Sequence, residues 1–297
     1  MSLSRLYGVV LAVVWVVAGC TGPRHTAPLG DVLEHEIGQT DKTIAGYRCT
    51  LGAHRGASVE HRENTLAALM TADRDPSYAF IEFDVQYTRD NHIVVFHDLT
   101  VLRLYGKVRS IGNETYNDLV ELTGGEIATY AEVMDVVKKK LNIEIKSQGD
   151  PLEDQRLADE VIADLRARKR SREVMISSIS SEVIAYIKET YPDIKTGQIH
   201  WLTSSTYLHL DVLTELLYKK MLNTRADYLM LHVANLRNLE NLLELKPEDT
   251  TIMFWDFDDR MYLVHKDPGD RLWGRGLVSD ELRIMRQRGA RLGANTR

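Results

Sequence analysis

Cysteine is scarce in this chain: its 297 residues contain only Cys20 and Cys49. Surplus charge of one sign is also missing. Lys and Arg number 37 and Asp and Glu 43, a net charge of −6, and no long basic block occurs. Nucleic acid is therefore a poor choice of partner. The N-terminal apolar run, about residues 6–17, is too short to span a bilayer, which takes about 20 apolar residues. Aromatics are few, at 7%, and the 19 Gly and 7 Pro are spread out, a globular rather than disordered composition. What is present is a hydrophobic fraction of 44%, enough for one large domain with a true core or two small ones.

Arg5 is the only charge before the apolar run, which ends in Val17-Ala18-Gly19-Cys20. Small residues after a short apolar stretch read as a secretory signal. The Cys directly after Ala-Gly resembles the lipobox of bacterial lipoproteins, whose Cys is acylated after cleavage. That resemblance implies a signal peptide over 1–19, lipidation at Cys20, and a cell-envelope location, anchored by lipid to a membrane outside the cytoplasm. An ordinary cleaved signal and an uncleaved anchor are the alternatives. With Cys20 lipidated, Cys49 has no intramolecular partner. Residues 20–45 carry Gly22, Pro23, Pro28, Gly30 and Gly38 among polar residues and are expected to form a tether. Residues 46–297 make the folded domain.

Beyond the tether, apolar strand-like runs alternate with helical patterns. Residues 51–54 form a short strand ending in Arg-Gly, and Asn64 caps a helix through Ala72. Residues 80–85 and 93–96 are β-branched and aromatic, as strands prefer. Residues 131–140 are helical, and Lys138, Lys139 and Lys140 suit the negative end of the helix dipole or simply a solvated helix end. Strands are expected at 141–145, 174–177, 195–199, 228–231, 250–254 and 276–279. Helices are expected at 153–168, 181–190, 209–221 and 236–245. This alternation points to a parallel sheet with helices outside. At this length an α/β fold of the (β/α)8 TIM-barrel type fits, with a small insertion over about 99–126 after the third strand. Nine strands then compete for eight places. The link from Gln86 to His92 is too short for a crossover helix, so 80–97 is either a hairpin turning at Asp90-Asn91 or two parallel strands with an extended return.

Four polar segments stand at ends of apolar runs: His54-Arg55-Gly56, Glu82-Phe83-Asp84, His97-Asp98 and Glu144-Ile145-Lys146. Active sites of such barrels are built at the C-terminal ends of strands. Glu82 and Asp84, two apart on a strand, share one face, with Ile81, Phe83 and Val85 on the other. Two carboxylates crowded inside a barrel repel, and a divalent cation relieves that cost. Glu144 offers a third carboxylate, and an all-oxygen set favours one Mg²⁺ or Ca²⁺. The alternative is a buried salt-bridge network of these carboxylates with Arg55 and Lys146. Arg55 and Lys146 suit the non-bridging oxygens of a phosphodiester. His54 and His97, imidazoles that titrate near neutral pH, suit general base and general acid. Gly56 is expected to serve a tight turn or a close backbone approach.

The runs "AHRGASVEHRENTLAALMTA", "FIEFDVQYTRDNHIVVFHDLTVLR" and "LNIEIK" resemble the glycerophosphodiester phosphodiesterases, in the same order and at the same spacing. "VMISSISSEVIAYIKETYPDIKTG", "FWDF" and "GLVSD" extend the likeness more weakly, over roughly 48–280. The resemblance implies a metal-dependent TIM-type barrel that hydrolyses glycerophosphodiesters to sn-glycerol 3-phosphate and an alcohol. It implies His54 and His97 as the acid–base pair, Glu82, Asp84 and Glu144 as metal ligands, and Arg55 and Lys146 as phosphate contacts. Water and the substrate's own glycerol hydroxyl are both open as the attacking group.

Departures gather at the mouth. Ala128-Thr129-Tyr130-Ala131-Glu132 replaces the family's Pro-Thr-Leu-Glu-Glu. Leu104-Tyr105 follows Arg103 in place of a Thr pair, and Asp256 follows Trp255 in place of Thr. Arg103 and Trp255 are candidate mouth residues for the alcohol half of the substrate. A lysophospholipase D or sphingomyelinase D-like activity is a second reading, and a surface lipoprotein using the scaffold to bind a partner is a third. The expected partners are thus a small glycerophosphodiester or lysolipid and a membrane reached through the lipid anchor. A last helix at 280–291, with Arg283, Arg286, Arg288 and Arg291, either closes the barrel or touches anionic lipid.

Overall fold

A computed structural model describes residues 25–38, 46–201, 210–256 and 258–266. The signal segment, Cys20, the strand expected at 276–279 and the helix expected at 280–291 lie outside the described residues. Among the described residues, no helix is long and apolar enough to cross a membrane.

Among the described residues, eleven strands form one sheet. They are β1 (Thr26–Pro28), β2 (Tyr47–Ala53), β3 (Phe80–Tyr87), β4 (Ile93–Val95), β5 (Ala128–Thr129), β6 (Lys140–Ile145), β7 (Val174–Ser178), β8 (Lys195–His200), β9 (Tyr228–His232), β10 (Thr251–Trp255) and β11 (Arg260–Lys266). Eight of them close into a barrel in the order β2-β3-β6-β7-β8-β9-β10-β11, with β2 pairing both β3 and β11. Helices α2 (Leu66–Arg74), α5 (Tyr130–Val136), α6 (Pro151–Ala167), α7 (Ser181–Thr190), α8 (Asp211–Thr224) and α9 (Leu239–Glu244) follow or precede these strands. The TIM-type barrel is thus what the alternating pattern implied.

The competition for eight places resolves in two ways. First, 80–97 is a hairpin: β4 pairs antiparallel with β3, Val95 opposite Val85, and stays outside the barrel ring. Asn91 at the turn takes φ 61°, a left-handed value that Asn tolerates. Second, the ring is closed by a strand the helical periodicity gave no reason to expect. β11 runs antiparallel to both β10 and β2. Its alternation was readable, since Met261 and Leu263 face the barrel core while Tyr262 and Val264 pack outside.

A β10–β11 hairpin leaves no crossover helix to cover the outer face there. Helix α1 (Leu29–Ile37) does so, burying Leu29, Val32 and Leu33 against Cys49, Phe254, Tyr262 and Val264. Residues 26–37 lie in the stretch expected to be a tether; their apolar spacing instead builds β1 and α1 into the fold.

Local chemistry moved several boundaries. Helix α2 is capped by Thr65, whose Oγ1 accepts from Ala68 N–H, rather than by Asn64. Helix α5 ends at Val136, so Lys138, Lys139 and Lys140 do not finish it. The backbone N–H groups of Lys138 and Lys139 donate to Asp73, and Lys139 Nζ donates to the Ala72 carbonyl at 2.7 Å. The lysine therefore serves the negative end of α2, not of its own helix. The segment expected as an insertion contains α3 (Leu102–Tyr105) and α4 (Tyr116–Thr123). It packs its own small core, with Val101, Ile111 and Leu119 against Val94 and Phe96.

Candidate active site

Inside the barrel, the interior face of β3 carries Phe80, Glu82 and Asp84, while Ile81, Phe83 and Val85 pack outward. Parallel register sets Asp84 beside Glu144 and Glu82 beside Asn142. Ligand atoms of Glu82, Asp84 and Glu144 all lie within 4.8 Å of one another, and all three residues are buried. Lys146, just past β6, places Nζ 2.7 Å from Glu144 Oε1 and 3.5 Å from Asp84 Oδ1. Arg55 Nε lies 3.6 Å from Asp84 Oδ2. The salt-bridge alternative thus describes real contacts, but among the described residues three carboxylates face only the two cations Arg55 and Lys146. Glu82 Oε1 and Asp84 Oδ1 are buried with no hydrogen-bond partner. Buried carboxylate oxygens without hydrogen bonds at this spacing fit a divalent cation, and an all-oxygen set suits Mg²⁺ or Ca²⁺.

The turn after β2 is wound tightly to reach this cluster. Arg55 at φ 61° and Asn64 at φ 58° both sit in the left-handed region, a strain that clusters at functional sites. The Arg55 N–H donates to Glu82 Oε2 at 2.9 Å, and Arg55 Nη1 donates to Glu63 at 2.8 Å. Asn64 Nδ2 donates to Asp84 Oδ2 at 2.7 Å, and Asp84 N–H donates to Asn64 Oδ1. Gly56, at φ +81°, lies so close to α2 that a Cβ would stand 2.6 Å from the Ala68 carbonyl carbon. Both uses foreseen for this glycine are present.

His54 is held from the β10–β11 turn. Its N–H donates to Asp259 O at 2.9 Å, and Nδ1 lies 3.3 Å from Asp258 O. That carbonyl assigns the proton to Nδ1 and leaves Nε2 as the acceptor, 3.9 Å from Glu82 Oε2. Burial and then the Arg55 cation push His54 down to about 3, so its ring is neutral at pH 7. Burial and then repulsion from Asp84 and Glu144 push Glu82 well above the usual carboxylate range. Burial works in the same upward direction on Asp84, but Lys146, His97 and Arg55 outweigh it and hold that carboxyl low. Lys146 is raised despite burial, because Glu144 and Asp84 favour its charge.

His97 follows β4, and Phe96 N–H donating to Asp84 O brings that chain end to the site. Arg103 Nε donates to Asp98 Oδ2 at 2.6 Å, and its other nitrogens donate to Glu63 at 2.6 and 2.8 Å. Arg103 therefore braces the rim between Asp98 and Glu63. Trp255, at the end of β10, does line the cavity.

A cavity of about 190 Å³ opens here, lined by His54, Arg55, Glu82, His97, Glu144 and Lys146 on its polar side. Ile179, Ile199, Trp201, Met230, Trp255 and Met261 make its apolar side. Trp201 and Trp255 pack with ring centroids 5.3 Å apart. Of the candidate site residues, His54, Arg55, Glu82, His97, Glu144, Lys146 and Trp255 line this cavity, Asp84 lies behind it against Glu82 and Glu144, and Arg103 does not line it but pairs with Asp98 and Glu63 at the rim. Sequence spacing does not single out Glu63, Asn64 or Asn142 for the site, and it gives Asp98 only a place beside His97 with no role. Their signal was adjacency to the His-Arg-Gly, His-Asp and Glu-x-Lys runs.

The sequence model of the glycerophosphoryl diester phosphodiesterase family matches residues 54–266. A glycerophosphodiester phosphodiesterase of Caldanaerobacter subterraneus is 32% identical over 161 residues, 50% of this chain and 65% of its own length. A human lysophospholipase D, GDPD3, is 41% identical over 73 residues, 25% of this chain and 23% of its own. The chain thus spans less than two thirds of the length of these relatives. The solved glycerophosphodiester phosphodiesterase of Thermotoga maritima superposes with a TM-score of 0.54 at 27% identity, covering 70% of this chain and 85% of that one. One from Parabacteroides distasonis gives 0.55 at 21% identity, covering 70% and 83%, a likeness of fold. With the family match covering more than half its length and containing these site residues, the chain belongs to the glycerophosphoryl diester phosphodiesterase family.

Proposed function

We propose that this chain hydrolyses glycerophosphodiesters to sn-glycerol 3-phosphate and an alcohol, using one divalent ion, Mg²⁺ or Ca²⁺, held by Glu82, Asp84 and Glu144. The observation that carries this reading is the joining of two imidazoles, three carboxylates and two cations in one cavity. An ion held by these three carboxylates would supply Lewis-acid charge for the phosphate oxygens. Lys146 and Arg55 add positive charge where charge builds as the phosphorus is attacked. Neutral His54, with Nδ1–H held by the Asp258 carbonyl, accepts a proton at Nε2 from the attacking group, water or the glycerol hydroxyl. His97 gives a proton to the oxygen of the departing alcohol. The test is release of glycerol 3-phosphate from glycerophosphocholine by purified protein with Mg²⁺ or Ca²⁺, against His54→Ala. Undiminished turnover in that variant overturns the role of His54.

The apolar side of the cavity favours a second reading, in which a lysophospholipid is the substrate. Six apolar side chains, two of them Trp, form that side, and the local match to a lysophospholipase D agrees with it. Rates on glycerophosphocholine and lysophosphatidylcholine, measured side by side, decide between the two.

The proposal extends to location. A lipid on Cys20 would hold the domain at a membrane of the cell envelope, and the support is the sequence from Arg5 to Cys20. Metabolic labelling with a radioactive fatty acid tests it, with Cys20→Ser as the control that must stay unlabelled.

A further inference from the structure

We propose that Asn142 binds a hydroxyl of the substrate's glycerol half and so selects glycerol esters; this rests on the phosphodiesterase reading above. Asn142 lies on β6, beside Glu82 in register and two residues before Glu144 on the same face. Its side chain is fully buried and lines the catalytic cavity. Neither amide atom has a hydrogen-bond partner. A buried amide without partners is costly to keep, and native interiors rarely leave one so.

The chemistry of the missing partner follows from the amide itself. Nδ2 donates and Oδ1 accepts, so a single partner that serves both atoms must both accept and donate. A phosphate oxygen only accepts. A metal ion, or a water whose lone pair is given to one, would satisfy Oδ1 and leave Nδ2 orphaned. A quaternary ammonium head offers no donor, and an acyl chain offers neither. A hydroxyl does both, as does a free water, whose place the substrate hydroxyl would take. The other polar side chains of the cavity are charged groups or imidazoles, and those left are apolar. Asn142 is the neutral amide among them. The phosphate falls to Arg55 and Lys146, and the departing alcohol to the apolar side. The glycerol hydroxyl is the remaining portion of the substrate, and it matches the amide.

The test compares two phosphate monoesters that differ only in hydroxyls, sn-glycerol 3-phosphate and n-propyl phosphate. Their binding to Mg²⁺-loaded protein is measured by calorimetry. Wild-type protein should prefer glycerol 3-phosphate by about tenfold or more, the worth of one or two buried hydrogen bonds. In Asn142→Leu, similar in size, that preference should collapse, while propyl phosphate binding stays within about twofold and Mg²⁺ affinity is unchanged. Asn142→Ala carries the same expectation if the Leu variant fails to fold. Equal weakening of both ligands, an unchanged preference, or a fall in Mg²⁺ affinity overturns the assignment. Turnover of glycerophosphocholine by the wild type is measured alongside. Its absence overturns the hydrolase reading, while the ligand preference still decides the role of Asn142.

Discussion

His97 and Asp98, neighbours in sequence, turn their side chains together, with ring Nδ1 2.7 Å from Asp98 Oδ1. Asp98 is held in turn by Arg103, Arg103 by Glu63, and Glu63 by Arg55. A run of alternating charges thus links the two ends of the site across its rim. Burial pushes Asp98 up, but the hydrogen bonds from His97 and Arg103 outweigh it and hold the carboxyl well below the usual carboxylate range, so it stays ionised as an acceptor for the ring.

The first prediction follows from that contact. Asp98→Asn frees the His97 ring and weakens its anchor, so kcat on glycerophosphocholine should fall by about 10- to 100-fold. KM should stay within about threefold, because Arg55 and Lys146 keep their places. Steady-state kinetics measure this, and an unchanged kcat would remove Asp98 from the mechanism.

The second concerns the ion. Relief of repulsion among Glu82, Asp84 and Glu144 should make Mg²⁺ or Ca²⁺ raise Tm, by the equivalent of about 2.7 kcal/mol at a hundredfold excess over Kd. Glu82→Gln should raise the Tm of chelator-treated protein and abolish the rise on adding metal. Melting curves with and without chelator show both. A variant that still gains the full shift would exclude Glu82 as a ligand.

The third is structural. At Gly56 a side chain meets the α2 backbone, and φ +81° disfavours any L-residue. Gly56→Ala should cost more than about 2 kcal/mol. It should also depress activity, because Arg55 and Asn64 lose their strained positions. Chemical denaturation gives the first number and a rate assay the second.

The fourth is a pH effect. Burial, then repulsion from Glu36 of α1 and from Asp258, pushes Asp256 up to about 6. Its folded pKa lies above its unfolded value near 3.8, so the folded state binds the extra proton between these two values. Stability from this group is present at low pH and is lost as pH rises towards 6. Asp256→Asn should remove that loss and gain on the order of 1 kcal/mol at pH 7 once solvent screening is allowed for. Melting temperatures from pH 4 to 8 test it, and a variant with the wild-type slope contradicts it.

The barrel and most of its site were legible because each depends on local pattern. Glu82 and Asp84 alternate with Ile81, Phe83 and Val85, and that period of two alone places both carboxylates inside. Gly56 was legible for a similar reason, as only a turn or a close approach needs it there. Closure by β11 was not legible, because it depends on pairing Tyr262 with Leu51 across more than two hundred residues. The docking of α1 depends on the same distant partners. Asn64 misled because its amide, which could cap a helix, is taken by Asp84. Asn142 gave only its place beside the Glu-x-Lys run: its meaning lies in having no partner inside a packed barrel.

The most direct test is product analysis with purified protein, Mg²⁺ and glycerophosphocholine, run beside His54→Ala and chelator-treated protein. The expected result is sn-glycerol 3-phosphate and choline from the wild type, none after chelation, and a loss of at least about a hundredfold in the variant. A folded wild-type protein that releases no glycerol 3-phosphate, or one whose turnover ignores both the chelator and the loss of His54, would contradict it.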